Sequence, residues 1–317
     1  MANQILTNYC NADCGFCFAA DSRSRSLREG RRQMEAEEVR SWLDFTLRAG
    51  IRELRLLGGE PTLHPQFADF VKMGREAGCT IMVFSNGVMP DAARDALAAL
   101  DPEVCSVVLN WTAAVKEQDK ARRQETMRLL GPRVTLGMTL TSADFSLWEP
   151  VSLIRTFGLR RTLRIGLSNP TWKGANRALH PKQYPAVGQA LLEASFFTAR
   201  HEVEMDADCG FVRCMFGGNF DQLKANGFRY ISNCTPVLDL CSGGMILPCF
   251  GLSNLMSLRR EDFADAGEAY ARFSEKLIPL HRFGIYPECT ECPYFETETC
   301  CGGCLAARLR RINPCEM

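Results

Sequence analysis

The 317-residue sequence contains no run of about 18 apolar residues, so nothing in it reads as a membrane-spanning helix. Its 37 Lys and Arg are balanced by 37 Asp and Glu, for a formal net charge of zero. A chain with no basic excess lacks the attraction on which general nucleic-acid and membrane-surface binders depend, and both partners are set aside. The opening Met-Ala-Asn-Gln has no signal-peptide pattern, which makes the cytoplasm the expected compartment. Tandem repeats and low-complexity linkers are also missing. Histidine is scarce: His180, His201 and His281 show no paired spacing, and His64 follows a turn where helix entry and cavity lining are both open.

What the chain has in quantity is cysteine, 16 residues of it. Disulfide scaffolds are short and secreted, so in a chain of this length clustered cysteines read as metal ligands or redox groups. Cys79 and Cys105 lie in apolar strand contexts and suit a core. Cys209 and Cys214 flank an aromatic turn, as buried thiols or as ligands of a rearranged cluster. Apolar content of 46% and charged content of 23% are ordinary for a globular chain.

Short β-rich runs alternate with helical patterns through the first two-thirds. Strands are expected at Gln4–Thr7, Arg52–Leu57, Thr80–Phe84, Val104–Asn110, Arg133–Leu140 and Leu163–Leu167. Helices are expected near Glu35–Ala49, Pro65–Ala77, Asp91–Leu100, Glu117–Leu130, Ser146–Phe157 and Lys182–Ala199, with Gly50, Gly78 and Gly158 at C-terminal stops. On the helix 117–130, Lys120, Arg122 and Arg123 are read as a solvated face. The repetition predicts an α/β fold with a parallel sheet, a partial (β/α)6 TIM-type barrel over residues 1–200, its site at the strand C-terminal ends. From 201 to 317 cysteine and glycine become dense. Only one clear helix, near Phe263–Leu277, remains there, so a loop-rich metal-dependent domain is expected.

Cys10-Asn11-Ala12-Asp13-Cys14-Gly15-Phe16-Cys17 places three thiols in one loop directly after the first strand. Three thiolates hold three irons of a four-iron cluster and leave the fourth open to an outside ligand. A closed zinc site would need a fourth protein ligand close by, and the loop offers none. This spacing, with Phe16 as its aromatic, resembles the signature of the radical S-adenosylmethionine (SAM) superfamily. Gly58-Gly59-Glu60-Pro61 after the second strand is similar to the family's segment for the SAM amino group. Ser85-Asn86-Gly87 after the third resembles its third-strand cofactor motif. Either alone would read as a plain turn. The resemblance spans roughly residues 1–200. It implies a [4Fe-4S] cluster on Cys10, Cys14 and Cys17, SAM bound through Gly58, Gly59, Glu60, Ser85, Asn86 and Ser168, and an external electron donor of the flavodoxin or ferredoxin type. It further implies a 5′-deoxyadenosyl radical that abstracts hydrogen from an unactivated carbon, while the protein orients one C–H bond. Asn169, Trp172 and Lys173 stand just past the sixth strand, where contacts to cofactor or substrate are expected.

Cys234-x9-Gly244-x4-Cys249, followed by Cys289-x2-Cys292 and Cys300-x3-Cys304, resembles the SPASM and shorter Twitch auxiliary-cluster domains of that superfamily. Seven residues separate Cys292 from Cys300 where the family usually has five, leaving Cys300 against Cys301 open. The full form implies two auxiliary [4Fe-4S] clusters, on Cys234, Cys241, Cys249 and Cys304 and on Cys289, Cys292, Cys300 and Cys315; the reduced form implies one, and zinc is the alternative. Cys249 is either a ligand or a free thiol facing the substrate cavity. In sulfatase-maturing relatives an acidic base follows this cysteine; here Phe250 does, which argues against a dehydrogenase with a base there. A free S–H bond is weaker than an alkyl C–H bond, so a thiol can return hydrogen to a carbon radical from the opposite face and invert the carbon.

His201-Glu202-Val203-Glu204-Met205-Asp206-Ala207-Asp208 alternates strictly. A strand would put Glu202, Glu204, Asp206 and Asp208 on one face, either solvated or forming a wall for a polycationic substrate such as an amine-rich sugar. Only nine residues precede Cys10, too few for a peptide-recognition domain on that side. With Cys249 and the acidic run, this resembles the radical epimerases of aminoglycoside biosynthesis and implies inversion of an amino-sugar carbon. Peptide modification (a crosslink or a residue epimerisation), dehydrogenation of an aminocyclitol and a non-catalytic iron–sulfur or zinc scaffold are the other readings.

Overall fold

The structure, a computed structural model, describes residues 1–171, 176–230 and 232–312, with backbone alone at 311 and 312. Six strands fall where the apolar runs predicted them: β1 (Ala2–Thr7), β2 (Glu53–Gly58), β3 (Thr80–Ser85), β4 (Cys105–Asn110), β5 (Val134–Leu140) and β6 (Thr162–Leu167). They pair in sequence order and in parallel, each separated from the next by helix. Along β3, β4 and β6 burial alternates strictly, so one face packs beneath the helices while the other lines the concave interior. Met82, Phe84, Ser106, Val108 and Arg164 belong to the inner face. The Arg164 guanidinium stands 5.2 Å from the Phe84 ring. Two strands separate β6 from β3, about 14 Å in a flat sheet, so this contact requires the sheet to curl.

The parallel run does not stop at six. β7 (Glu204–Ala207) and β8 (Phe228–Arg229) extend it past β6. At the other edge β9 (Leu238–Cys241) joins β1 in parallel, and β10 (Met245–Leu247) and β11 (Leu258–Arg259) continue in antiparallel fashion. The result is an eleven-stranded open sheet with β8 and β11 at its ends. The segment beyond residue 200 therefore contributes strands to both edges of the barrel sheet, and its Phe273, Ile285 and Cys300 belong to the same apolar core as Leu56 and Val83. Burial of those side chains, and not metal alone, ties it down.

Gly158 ends the helix Trp148–Phe157 at φ 60°, the left-handed stop expected of it. Cys79 and Cys105 are 1% exposed and sit in the core. On the helix Lys120–Leu130 the solvated reading fails for Arg123: its guanidinium lies 4.1 Å over the Trp111 ring and donates to the Trp111 carbonyl at 3.1 Å. The aromatic face supplies a partner that a sequence window does not contain. His64 is buried at the helix entry, its ring bonded to the Met34 carbonyl and accepting from the Gln66 N–H.

The junction of β1 with β9 encloses a carboxyl group. Asn3 Nδ2 donates to Asp239 Oδ1 at 2.7 Å, and both residues are buried. Burial pushes Asp239 up to about 7, against the hydrogen bonds from Asn3 and the Phe250 N–H. A carboxyl with a raised folded-state pKa adds stability at low pH and loses it as the pH climbs through that value. Stability in urea should thus fall between about pH 4 and pH 7 by up to ~4 kcal/mol from this group. Asp239→Asn should remove most of that slope, leaving the variant no less stable than the parent at pH 8; an unchanged slope would exclude Asp239 as its source.

Candidate functional site

The three N-terminal cysteines lie in the loop that leaves the C-terminal end of β1. Backbone bonds fix the loop on both sides. Gly59 N–H donates to the Thr7 carbonyl at 2.7 Å and Glu60 N–H to the Tyr9 carbonyl at 2.8 Å. Across the loop, Arg177 N–H reaches the Gly15 carbonyl at 2.7 Å and Asn176 Nδ2 reaches the Phe16 carbonyl at 3.2 Å. Within the loop, Cys17 N–H donates to the Cys14 carbonyl at 2.9 Å.

All three sulfurs accept hydrogen bonds. Cys10 Sγ takes the Ala12 N–H at 3.5 Å, Cys14 Sγ the Ala114 N–H at 3.2 Å, and Cys17 Sγ the Arg23 guanidinium at 3.9 Å. Burial pushes the Cys10 and Cys14 thiols up, so alone they stay protonated. The donors aimed at them suit sulfur that carries charge, as iron-bound thiolates do. The chemistry of this set fits a cluster held by three thiolates.

Gly58-Gly59 serves close approach. A Cβ on Gly59 would overlap the Tyr9 carbonyl oxygen and stand 3.0 Å from Cys10 Cβ, and one on Gly58 would overlap the Thr7 carbonyl. Glu60, expected to hold the SAM amino group, is 0% exposed. Its carboxylate accepts from Thr62 Oγ1 at 2.6 Å, Thr62 N–H at 3.3 Å, Ser85 Oγ at 2.9 Å and Asn86 N–H at 2.8 Å. It is a brace between the ends of β2 and β3, closed to solvent, and Ser85 is engaged with it. Asn86 donates to Asn11 Oδ1 at 2.7 Å with its Nδ2 3.9 Å from Cys10 Sγ, which makes it the link from the third strand to the cysteine loop. Ser168, at the end of β6, donates to the Arg177 carbonyl and so anchors the segment that clasps Gly15. Asn169 Nδ2 reaches the Cys209 carbonyl at 3.4 Å. Trp172 and Lys173 lie outside the described residues.

The C-terminal cysteines gather differently from the arrangement that the family spacing implied. Cys209, Cys249, Cys301 and Cys304 are all pushed up by burial first, and Cys234 lies near enough to each for its charge to raise them further. Burial, and after it the charges of the nearby Cys289, Cys300 and Cys292, push Cys214 up to about 11. Cys241 joins neither set. Its thiol donates to the Asp239 carbonyl at 3.6 Å and packs with Ile5, Ala19, Met245, Leu247 and Phe250, because its position on β9 turns it into that small core. Cys315 lies outside the described residues. Cys209 and Cys214 are the thiols that sequence spacing left out, since they come 20 or more residues before the motif. Among the described residues no three His, Cys, Asp or Glu side chains converge on one ion. A four-iron cluster places one thiolate on each iron, so its ligands surround a volume and do not meet at a point.

The acidic run is not a single wall. Glu202 precedes β7 at φ 55° and pairs with Arg161, while Arg229 holds Glu204 and Asp206, each at 3.0 Å. These three lie at or below mid-barrel, where arginines of the same chain neutralise them. Asp208 stands past the C-terminal end of β7, paired with Arg164 at 2.8 Å and next to Cys209; it alone reaches the mouth.

A three-thiolate loop at the mouth of a curled parallel sheet points to one family. Residues 5–130 match the family described as the radical SAM superfamily. This stretch is a radical SAM domain. Such a domain implies a four-iron cluster and SAM, and the remaining cysteines are consistent with auxiliary clusters.

The chain is 30% identical over 100 residues to GTP 3′,8-cyclase of Chlorobaculum tepidum, covering 30% of this chain and 29% of that one. It is 32% identical over 87 residues to the S-adenosylmethionine-dependent nucleotide dehydratase of Flammeovirga pacifica, covering 27% and 29%. With the probable GTP 3′,8-cyclase of Thermococcus kodakarensis the match is 28% over 169 residues, covering 48% and 52%. These matches span between about a quarter and a half of each relative. In fold the chain is similar to Streptococcus suis SuiB bound to S-adenosylmethionine, with a TM-score of 0.68 at 15% identity over 96% of this chain and 72% of that one. SuiB bound to the precursor peptide SuiA superposes equally well, with a TM-score of 0.68 at 15% identity over 96% and 71%. No helix among the described residues is long and apolar enough to cross a membrane.

Gly59→Ala should displace the cysteine loop from the end of β2. The expected result is a loss of about 2–4 kcal/mol in stability and of about four iron atoms per reconstituted chain, read by denaturation and iron assay. Full iron content in this variant would show that the close approach is dispensable.

Proposed function

We propose that this chain is a radical SAM epimerase that inverts one carbon of an amino sugar, as the neomycin C epimerase of aminoglycoside biosynthesis does in forming neomycin B. When bound, the cluster on Cys10, Cys14 and Cys17 and SAM together supply a 5′-deoxyadenosyl radical, which takes one hydrogen atom from the substrate carbon. Cys249 then gives its thiol hydrogen to the opposite face of that carbon. The thiyl left on Cys249 needs one electron and one proton to return to thiol; an auxiliary cluster, which Cys209, Cys234, Cys301 and Cys304 would hold, would supply the electron and would be refilled by an external donor of the flavodoxin or ferredoxin type. Asp208 is the carboxylate of the acidic run nearest the mouth, and an ammonium group there would share it with Arg164.

The observation that carries this reading is the setting of Cys249. Phe250 packs edge-on against Phe18, beside Cys17, with ring centroids 5.4 Å apart. A Cβ on Gly251 would stand 3.8 Å from Cys249 Sγ and 3.7 Å from the Pro170 carbonyl, beyond the end of β6. The thiol thus belongs to the segment bridging the cysteine loop and the barrel mouth. Five thiols, those of Cys209, Cys234, Cys249, Cys301 and Cys304, gather where four would complete a cluster, so Cys249 can stay free. Burial holds it well above the ordinary thiol range, which keeps the S–H that a hydrogen donor needs.

Turnover of neomycin C in deuterated water should place one deuterium on the inverted carbon, because thiol protons exchange with solvent. Cys249→Ala should keep its full iron content and still cleave SAM, yet form less than about 1% of the inverted product, a barrier increase of about 3 kcal/mol or more. Loss of iron in that variant would make Cys249 a ligand and overturn its role as donor. The second reading, peptide modification, is favoured by the fold shared with SuiB, which has been seen with a precursor peptide. It predicts no change in neomycin C and, in deuterated water, a peptide substrate that either loses two hydrogens in a crosslink or gains one deuterium at an epimerised residue.

A further inference from the structure

Arg308 is left unexplained by the sites described so far. It lies on the helix Leu305–Ile312, is 0% exposed, and donates Nη1 to the Phe283 carbonyl at 3.0 Å. Its Nε and Nη2 are buried and meet no acceptor among the described residues. The buried Arg94 differs, with Glu125 at 2.7 Å and Asp91 at 2.6 Å as counter-charges. A guanidinium taken out of water without an anion is strongly unfavourable. Something negative belongs against it.

The groups around it say what. Arg308 N–H donates to the Cys304 carbonyl at 3.0 Å, one turn back, so the two side chains share a helix face. The positive charge of Arg308 acts on the thiols of Cys304 and Cys301, and both of these neighbour Cys234. His281 also lies within reach of that charge: burial first, and then Arg308, opposes its protonation. Two anion-forming groups within reach of Arg308 are therefore the thiols of Cys304 and Cys301, and thiolates persist in a buried setting when they are bound to metal.

We propose that Arg308 is the counter-charge of an anionic iron–sulfur cluster held by Cys234, Cys304 and the thiols around them, its free Nε and Nη2 donors being satisfied by the cluster's sulfur. It is a positioning residue. A positive charge and N–H donors at the sulfur favour the more negative, reduced state, so Arg308 raises the potential of that cluster. The inference rests on the reading that these thiols hold iron, which the iron content of the unaltered protein tests separately.

The experiment uses full-length protein with Cys10, Cys14 and Cys17 changed to Ala, so that only auxiliary iron reports. It is reconstituted with iron and sulfide and titrated under electron paramagnetic resonance. Arg308→Met should move one auxiliary midpoint to a more negative potential and alter its resonance, while Arg308→Lys, which keeps the charge, should stay near the parent. If Arg308→Met fails to load that cluster, Arg308→Lys should restore the iron. An unchanged midpoint in Arg308→Met overturns the proposal. So does an equal shift, or an equal loss of iron, in both variants.

Discussion

The candidate centre depends on one close approach of backbone to backbone. Gly59 donates to the Thr7 carbonyl and Glu60 to the Tyr9 carbonyl, and neither bond would form if residues 58 and 59 carried side chains. The approach brings the start of the cysteine loop against the end of β2. The buried Glu60 carboxylate then collects donors from Thr62, Ser85 and Asn86, which brings in the end of β3. Asn86 passes the constraint back to Asn11 and Cys10. The GGE and SNG turns work as one closed ring of hydrogen bonds holding three thiols at the mouth of the barrel.

Much of the barrel was legible because its first six strands are largely apolar runs of six or seven residues, and such runs bury the same way wherever they occur. The six expected strands stand within a residue or two of their expected places. Other elements left weaker signals. The helix Ala20–Arg28 buries Ser22 and Ser26 and so has no apolar stripe to announce it. Strands β8 to β11 are two to four residues long, too short for alternation to register, and two of them take their places only by pairing with β1 or β7 across long stretches of sequence. The acidic run did alternate, but its meaning lay with Arg164 on β6, Arg161 just before it and Arg229 on β8.

The thiols teach a similar lesson. Spacing picks out cysteines that are close in sequence, such as Cys10, Cys14 and Cys17 or Cys289 and Cys292. It does not reach Cys209 and Cys214, which the path of the chain after β7 brings near other thiols. It also included Cys241, which has the right spacing but sits on a strand whose pleat points it into a small apolar core. A motif fixes residue types and distances along the chain; the direction of a side chain is decided by the element that carries it.

The placement of β1 has a consequence for the order in which the protein is made. β1 is synthesised before the ten other strands among the described residues, yet it is an interior strand, with β2 on one side and β9 on the other. Its second neighbour spans residues 238–241, so all the residues between Thr7 and Leu238 must emerge before β1 has both partners. The loop bearing the first three thiols hangs from that strand. Until the late residues arrive, the nascent chain carries those thiols on a half-paired edge, and delivery of iron before that point would meet an unfinished cradle.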